Sequence, residues 1–138
     1  MQTTHQQSAD DLERFITSFY ANIEAKRFEQ VANAVGPDIQ QLDERSGIWV
    51  RDRGSLIDGY VEEVASADRY TNWIDDVDVR IVGDAIGLAT FVWHADAAWQ
   101  GTDYKIRCPS TVVARWTDAD GWKIVLLHSV PADDKSAR

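Results

Sequence analysis

Residues 110–131 read STVVARWTDADGWKIVLLHSVP. Two apolar-rich runs flank Asp118-Ala119-Asp120-Gly121, and a proline closes the second run. Acidic residues beside a glycine favour chain reversal, while Thr111, Val112, Val113, Ile124 and Val125 are β-branched and favour extended backbone. The stretch therefore predicts a β-hairpin whose second strand ends at His128-Ser129. Upstream, Gly83-Asp84 and Gln100-Gly101 are further hairpin connections. Strands are expected over 69–82, 85–99, 102–117 and 122–130. Several far exceed the usual strand length of about five or six residues, and long strands in a small protein must twist and curl. Pro109 has no amide hydrogen and marks an edge or a bulge, where the register can slip by one residue.

Before residue 69 the apolar period lengthens to that of a helix. Leu12, Phe15, Ile16, Phe19, Tyr20 and Ile23 form one stripe behind a Ser8 cap, with Asp10, Asp11 and Glu13 suited to the positive end of the helix dipole. A short second helix carries Phe28, Val31 and Val35 and stops at Gly36-Pro37. A third starts at a Ser55 cap and buries Leu56, Tyr60, Val61 and Val64. Two short strands, near 39–42 and 47–51, lie between the second and third helices. The fold class is α+β, a cone-shaped barrel in which three N-terminal helices pack on a strongly curved antiparallel sheet. One domain is expected over 8–131, with flexible tails at 1–7 and 132–138.

The chain has 138 residues, 44% of them hydrophobic, which suits one globular domain. Its 14 basic and 23 acidic residues give a net charge of −9, so phosphate backbones repel it and nucleic acid is a poor partner. A single cysteine, Cys108, fits a reducing compartment, and no apolar run approaches the ~20 residues that span a bilayer. A cytoplasmic location is expected. His5, His94 and His128 lie far apart with no metal-ligand spacing, and no glycine-rich phosphate loop is present, so neither metal nor cofactor is expected.

The order of elements resembles the nuclear transport factor 2-like superfamily, and within it the SnoaL-like branch. The resemblance rests on Gly54-Ser55 opening a helix, on DVDVRIVGDAIGLATF (76–91), and on the closing hairpin at 110–131 with its Thr111, Arg115, Gly121-Trp122 and His128-Ser129. This superfamily includes steroid isomerases, dehydratases, polyketide cyclases, transport adaptors and kinase association domains, so fold alone does not fix function. Laid on this chain, the steroid-isomerase pattern puts its general base at or near Asp43. Its oxyanion-hole tyrosine falls at Phe19, beside Tyr20, and its oxyanion-hole acid falls at Val112. The base is retained and the two donors are not. Asp43 also reads as a solvated turn residue in QLDERSG.

A two-residue Gln100-Gly101 turn pairs Trp93 with Cys108 and Phe91 with Ser110. A turn over 118–121 pairs Val112 with Leu127 and Ser110 with Ser129. One face then carries Gly87, Ala89, Phe91, Trp93, Ala95, Cys108, Ser110, Val112, Leu127 and Ser129. The other carries Thr90, His94, Asp96, Arg107, Thr111, Arg115, Ile124 and His128. The first is assigned to the cavity by the position of Val112 in the resembling family. Gly87, Ala89 and Ala95 leave room either for a ligand or for the close approach of a helix. His94 and His128 read as a general base oriented by a carboxylate, or as hydrogen-bonded residues on a face used for dimer contact.

The expected protein binds a small apolar or aromatic molecule in its cone. Any catalysis is cofactor-free isomerisation, cyclisation or dehydration, with Asp43 as base and Tyr20 or Tyr60 as donor. Phe19, Trp73, Phe91, Trp93, Ser110, Val112, Leu127 and Ser129 are the expected ligand contacts, with His94 and His128 as second-tier candidates. The alternative is a non-catalytic homodimeric association or ligand-binding module.

Overall fold

The computed structural model describes residues 8–43 and 46–132. Of the expected tails at 1–7 and 132–138, residues 1–7 and 133–138 lie outside the described residues, while Ala132 donates its amide to the Arg107 carbonyl at 2.9 Å. Three helices come first: α1 (Ala9–Glu24), α2 (Phe28–Asn33) and α3 (Arg53–Ala65). Strands β1 (Val35–Leu42) and β2 (Trp49–Val50) interrupt them, and β3 (Arg69–Val82), β4 (Ile86–Trp99), β5 (Thr102–Thr117) and β6 (Gly121–Ser129) follow. The six strands form one sheet in the order β2-β1-β6-β5-β4-β3.

Helix α1 begins as its sequence dictates. The Ser8 hydroxyl accepts from the Asp11 amide, and the Asp11 carboxylate accepts from the Ser8 amide. Its apolar stripe is buried on the concave face of the sheet: Leu12, Ile16, Phe19 and Ile23 are all at most 1% exposed. At its far end Glu24 accepts the Asn72 amide at 2.7 Å, occupying a donor on the free edge of β3.

Four features differ from expectation. Val35 opens β1 instead of closing α2, because β1 pairs with the final strand from its first residue, Val35 opposite Ile124. That pairing is parallel, so the sheet is mixed instead of wholly antiparallel. Helix α3 is capped by Asp52, whose side chain accepts from the Ser55 amide, and not by Ser55. Val61 is exposed, because Leu56, Tyr60 and Val64 already occupy the inward stripe at helical spacing.

Irregularities curl the long strands. Asp76, at φ 52°, is part of a bulge between Asp75 and Asp78 of β3, and bulges increase local twist. Pro109 causes neither bulge nor slip: the β4–β5 register is continuous from Ile86–Arg115 to Trp99–Thr102. Its carbonyl accepts from the Val130 amide, so its missing donor also faces the β6 side, just past the last β5–β6 pair. In the closing hairpin Gly121 pairs with Thr117, making the turn one residue shorter than expected. A bulge at Val125 restores the pairing of Val112 with Leu127. Ile124, expected on the outer face, consequently lies opposite Ala114 and is fully buried in the core.

Candidate functional site

The concave face of the sheet divides into two halves. The half around Gly87, Ala89, Val112 and Ile124 is filled by α1. A Cβ on Gly87 would overlap Leu12 and stand 3.2 Å from the Trp122 ring, so this glycine admits the helix rather than a ligand. Ala89 and Ala95 are likewise buried in the core. The half built from the end of β4, the start of β5 and the end of β6 carries no such filling. There α3 stands across the mouth of the cone and borders a half-open cavity of about 690 Å³, within the usual range for small-molecule sites.

Side-chain anchors hold α3 at both ends. The Arg53 guanidinium donates to the Val35 carbonyl at 3.2 Å, and the Trp99 indole donates to the Glu63 carbonyl at 3.1 Å. Between these anchors Ser55, Gly59, Glu62 and Ser66, all exposed, border the cavity together with the half-buried Tyr60 and Glu63. Their spacing of three and four residues lies beside the apolar stripe of Leu56, Tyr60 and Val64 in the sequence. The opposite wall is aromatic and apolar, with Tyr20 from α1, Tyr70 from β3, Trp93 and Trp99 from β4, and Tyr104 from β5.

The candidate catalytic residues Asp43, Tyr20 and Tyr60 all line this cavity. Asp43 follows the end of β1, one residue past Leu42, which pairs with His128. Its carboxylate accepts from the Ser46 hydroxyl at 2.6 Å, and its backbone carbonyl accepts from Gly47 at 2.8 Å. Asp43 thus braces its turn and borders the cavity at once. Tyr20 is buried, its ring edge-on to Phe91 at 5.6 Å and tilted over Trp93 at 6.3 Å. Phe19 links the two tyrosines, with ring centroids 5.1 Å from Tyr20 and 6.1 Å from Tyr60.

Among the expected ligand contacts, Trp93, Leu127 and Ser129 line the cavity. Phe19, Phe91, Ser110 and Val112 lie behind the wall, buried and outside the lining. Ser110 donates to the Cys108 carbonyl at 2.9 Å and shares a 2.7 Å hydrogen bond with Ser129. Trp73 belongs elsewhere: it is 48% exposed on the outer face, where its ring stacks on His94 at 5.1 Å and 8°. The strand pleat dictates this, since Ile74 pairs with inward-facing Trp93 and its neighbour Trp73 must point the other way. The indole nitrogen of Trp93 is buried without a hydrogen-bond partner, a cost that an acceptor on a bound molecule would relieve.

His94 and His128 share the outer face but not a row. His128 pairs with Thr111, which pairs with Thr90, whereas His94 pairs with Arg107. The carboxylate beside His94 is Asp75, 3.0 Å from Nε2, and not Asp96. Asp96 is engaged by Arg69 at 2.6 Å, and that hydrogen bond is the main cause holding its carboxyl below the ordinary value. The His128 ring lies 6.5 Å from the exposed Trp49.

A six-stranded curved sheet with helices over its concave face is the architecture of the nuclear transport factor 2-like proteins. The profile of the SnoaL-like domain matches residues 12–133, and the chain belongs to that family. A proposed dehydratase of the NTF2-like family from Streptomyces avermitilis has a similar structure, with a TM-score of 0.79 and 21% identity over 91% of this chain and 96% of that one. An NTF2-like superfamily protein from Salmonella enterica superposes with a TM-score of 0.81 at 16% identity, covering 92% of each chain. A protein from Xanthomonas campestris, described as a calcium/calmodulin-dependent protein kinase II association domain, gives 0.79 at 16% identity over 97% and 94%. At these identities the likeness is one of fold. The curated proteins contain no match. Among the described residues no helix is long and apolar enough to cross a membrane.

Proposed function

We propose that this SnoaL-like domain binds a small, largely apolar or aromatic molecule in its cone and acts on it by cofactor-free acid–base chemistry. The observation that carries the reading is one cavity bordered by a carboxylate, Asp43, and two phenols, Tyr20 and Tyr60, within aromatic walls. A carboxylate takes a proton from carbon or oxygen, and a phenol in a water-poor wall stabilises the oxygen that gains charge. Isomerisation, cyclisation and dehydration all need this pair of roles and no cofactor. The dehydratase description of the Streptomyces neighbour agrees with that class.

The protein acts as a homodimer in the cytoplasm. Support comes from the exposed Trp49, Trp73 and Leu88 and from neighbours described as kinase association and hub domains. Those neighbours also favour a second reading, in which the domain associates without catalysis.

Native mass spectrometry of freshly purified protein tests both. A dimer carrying a discrete small-molecule adduct supports the first reading, and Asp43→Asn should then abolish turnover of that molecule while leaving its binding and the fold intact. A dimer that neither retains nor binds small molecules refutes the first reading in favour of the second.

A further inference from the structure

Resting on the reading of the cavity as a ligand site, we propose that Ser129 presents to it a hydrogen-bond acceptor without a proton to donate, so that the ligand carries a hydroxyl or N–H group on its apolar or aromatic body. Protons can be counted along the hydrogen bonds behind the wall. Ser110 is buried, 5% exposed, and its hydroxyl lies 2.9 Å from the Cys108 carbonyl and 2.7 Å from the Ser129 hydroxyl. A hydroxyl has one proton to give and two lone pairs to receive, whereas a carbonyl only receives. The Ser110 proton therefore goes to Cys108, and the Ser110 oxygen receives the proton of Ser129.

The reverse arrangement fails. If Ser110 donated to Ser129, its oxygen would stand 2.9 Å from the Cys108 carbonyl oxygen with no proton between them, lone pair against lone pair in a buried place. Strand pairing holds the chain together, since Ser110 is the cross-strand partner of Ser129. Ser129 itself is half-buried and lines the cavity, as do the buried Trp93, Cys108 and Leu127. Its oxygen keeps a lone pair, and among the described residues no donor other than Ser110, whose proton is committed to Cys108, lies within hydrogen-bond distance. A ligand acceptor placed there is repelled, whereas a ligand donor extends the chain and is strengthened by it.

The place of Ser129 gives the donor a use. Leu42 pairs with His128 in the parallel β1–β6 ladder, and the residues that follow them, Asp43 and Ser129, both line the cavity. Neighbouring strands lie about 4.8 Å apart. A ligand hydroxyl or N–H held by Ser129 therefore stands beside the carboxylate proposed as the base. Ser129 is thus a binding and positioning group that selects donors over carbonyls at this end of the cone.

The test is ligand-observed NMR titration of the full chain with three probes built on one body: 1-indanol, which can donate; 1-indanone, which can only accept; and indane, which does neither. The alcohol should bind about three- to tenfold tighter than the ketone, the scale of one neutral hydrogen bond. Ser129→Ala should erase that preference and leave indane binding as in the unmodified protein. Ser110→Ala should free the Ser129 proton, so that the ketone binds at least as well as the alcohol. Gly59 borders the cavity and a Cβ there meets nothing within 4 Å, so Gly59→Leu fills open space and should weaken all three probes. Equal binding of alcohol and ketone, or a preference for the alcohol that survives Ser129→Ala or Ser110→Ala, with indane still bound, overturns the assignment of Ser129 and leaves the ligand site standing. Failure of every probe to bind up to its solubility limit, or binding that ignores Gly59→Leu, overturns the ligand site itself.

Discussion

The Cδ2 methyl of Leu12 on α1 occupies the space that a Cβ on Gly87 of β4 would need. Gly87 has no left-handed backbone angle, so its role is spatial: it lets the helix lie against the sheet. Leu12 is fully buried, so its side chain can shift only against other core residues, and the Trp122 ring closes the other side. Gly87→Ala should therefore destabilise the protein by about 1–3 kcal/mol, as overpacked cores do. Urea unfolding measures it. A stability equal to wild type would mean that α1 rides further from the sheet than the contact with Leu12 implies.

At Gly59 the same substitution has the opposite sign. The residue lies in the interior of α3 with a Cβ position that faces open space. Gly59→Ala should raise stability by up to about 1 kcal/mol through helix propensity alone. A thermal melt that moves downward would place the cavity wall in closer contact with the sheet than its lining indicates.

These two glycines also show how far the sequence could be read. The hairpin turns and strand lengths were legible because turn chemistry and alternation are local. The inward face was also legible, since Phe91, Trp93, Cys108 and Leu127 follow one another in register. Whether small residues on that face make room for ligand or for helix was not legible, because the answer depends on Leu12, some 75 residues away in the chain (87 less 12). Ile124 was misplaced because a shorter turn and a compensating bulge at Val125 leave no local signature. The site was partly hidden for a different reason. Glu62, Glu63 and Ser66 read as the solvated side of an amphipathic helix, and Glu62 and Ser66 are exposed; that they also border the candidate cavity depends on where α3 stands relative to the sheet.

The turn between β4 and β5 has room for improvement. Gln100 sits at φ 52° and Gly101 at φ 80°, so both central residues are left-handed, as in a type I′ hairpin turn. Glutamine gains nothing there, whereas asparagine tolerates this conformation best among residues with a side chain. Gln100→Asn should stabilise the protein by a few tenths of a kcal/mol up to about 1. An unchanged urea midpoint would mean that the Asp68 carboxylate, which accepts the Gly101 amide at 3.0 Å, already fixes the turn.

Helix α3 forms the cavity wall, and its first turn depends on a carboxylate. Asp52 accepts from the Ser55 amide at 2.7 Å and from the Ser55 hydroxyl at 2.9 Å, which hold its pKa below the ordinary 3.8. A carboxyl whose folded value is depressed stabilises the fold at pH above its unfolded value, and that contribution is lost as pH falls through the folded value. Asparagine caps helices about as well as aspartate but does not titrate. Asp52→Asn should thus differ little from wild type at low pH and be the less stable of the two near neutrality. The gap should open as pH rises from the depressed folded value to the ordinary carboxylate value and hold constant above it. Urea midpoints of both proteins at several pH values between 3 and 7 give the answer directly. A constant gap across that range would show that the hydrogen-bond acceptor alone matters. Ligand affinity should follow the same curve more weakly, because fraying the first turn of α3 loosens the Ser55 end of the cavity while the Trp99 anchor holds the other.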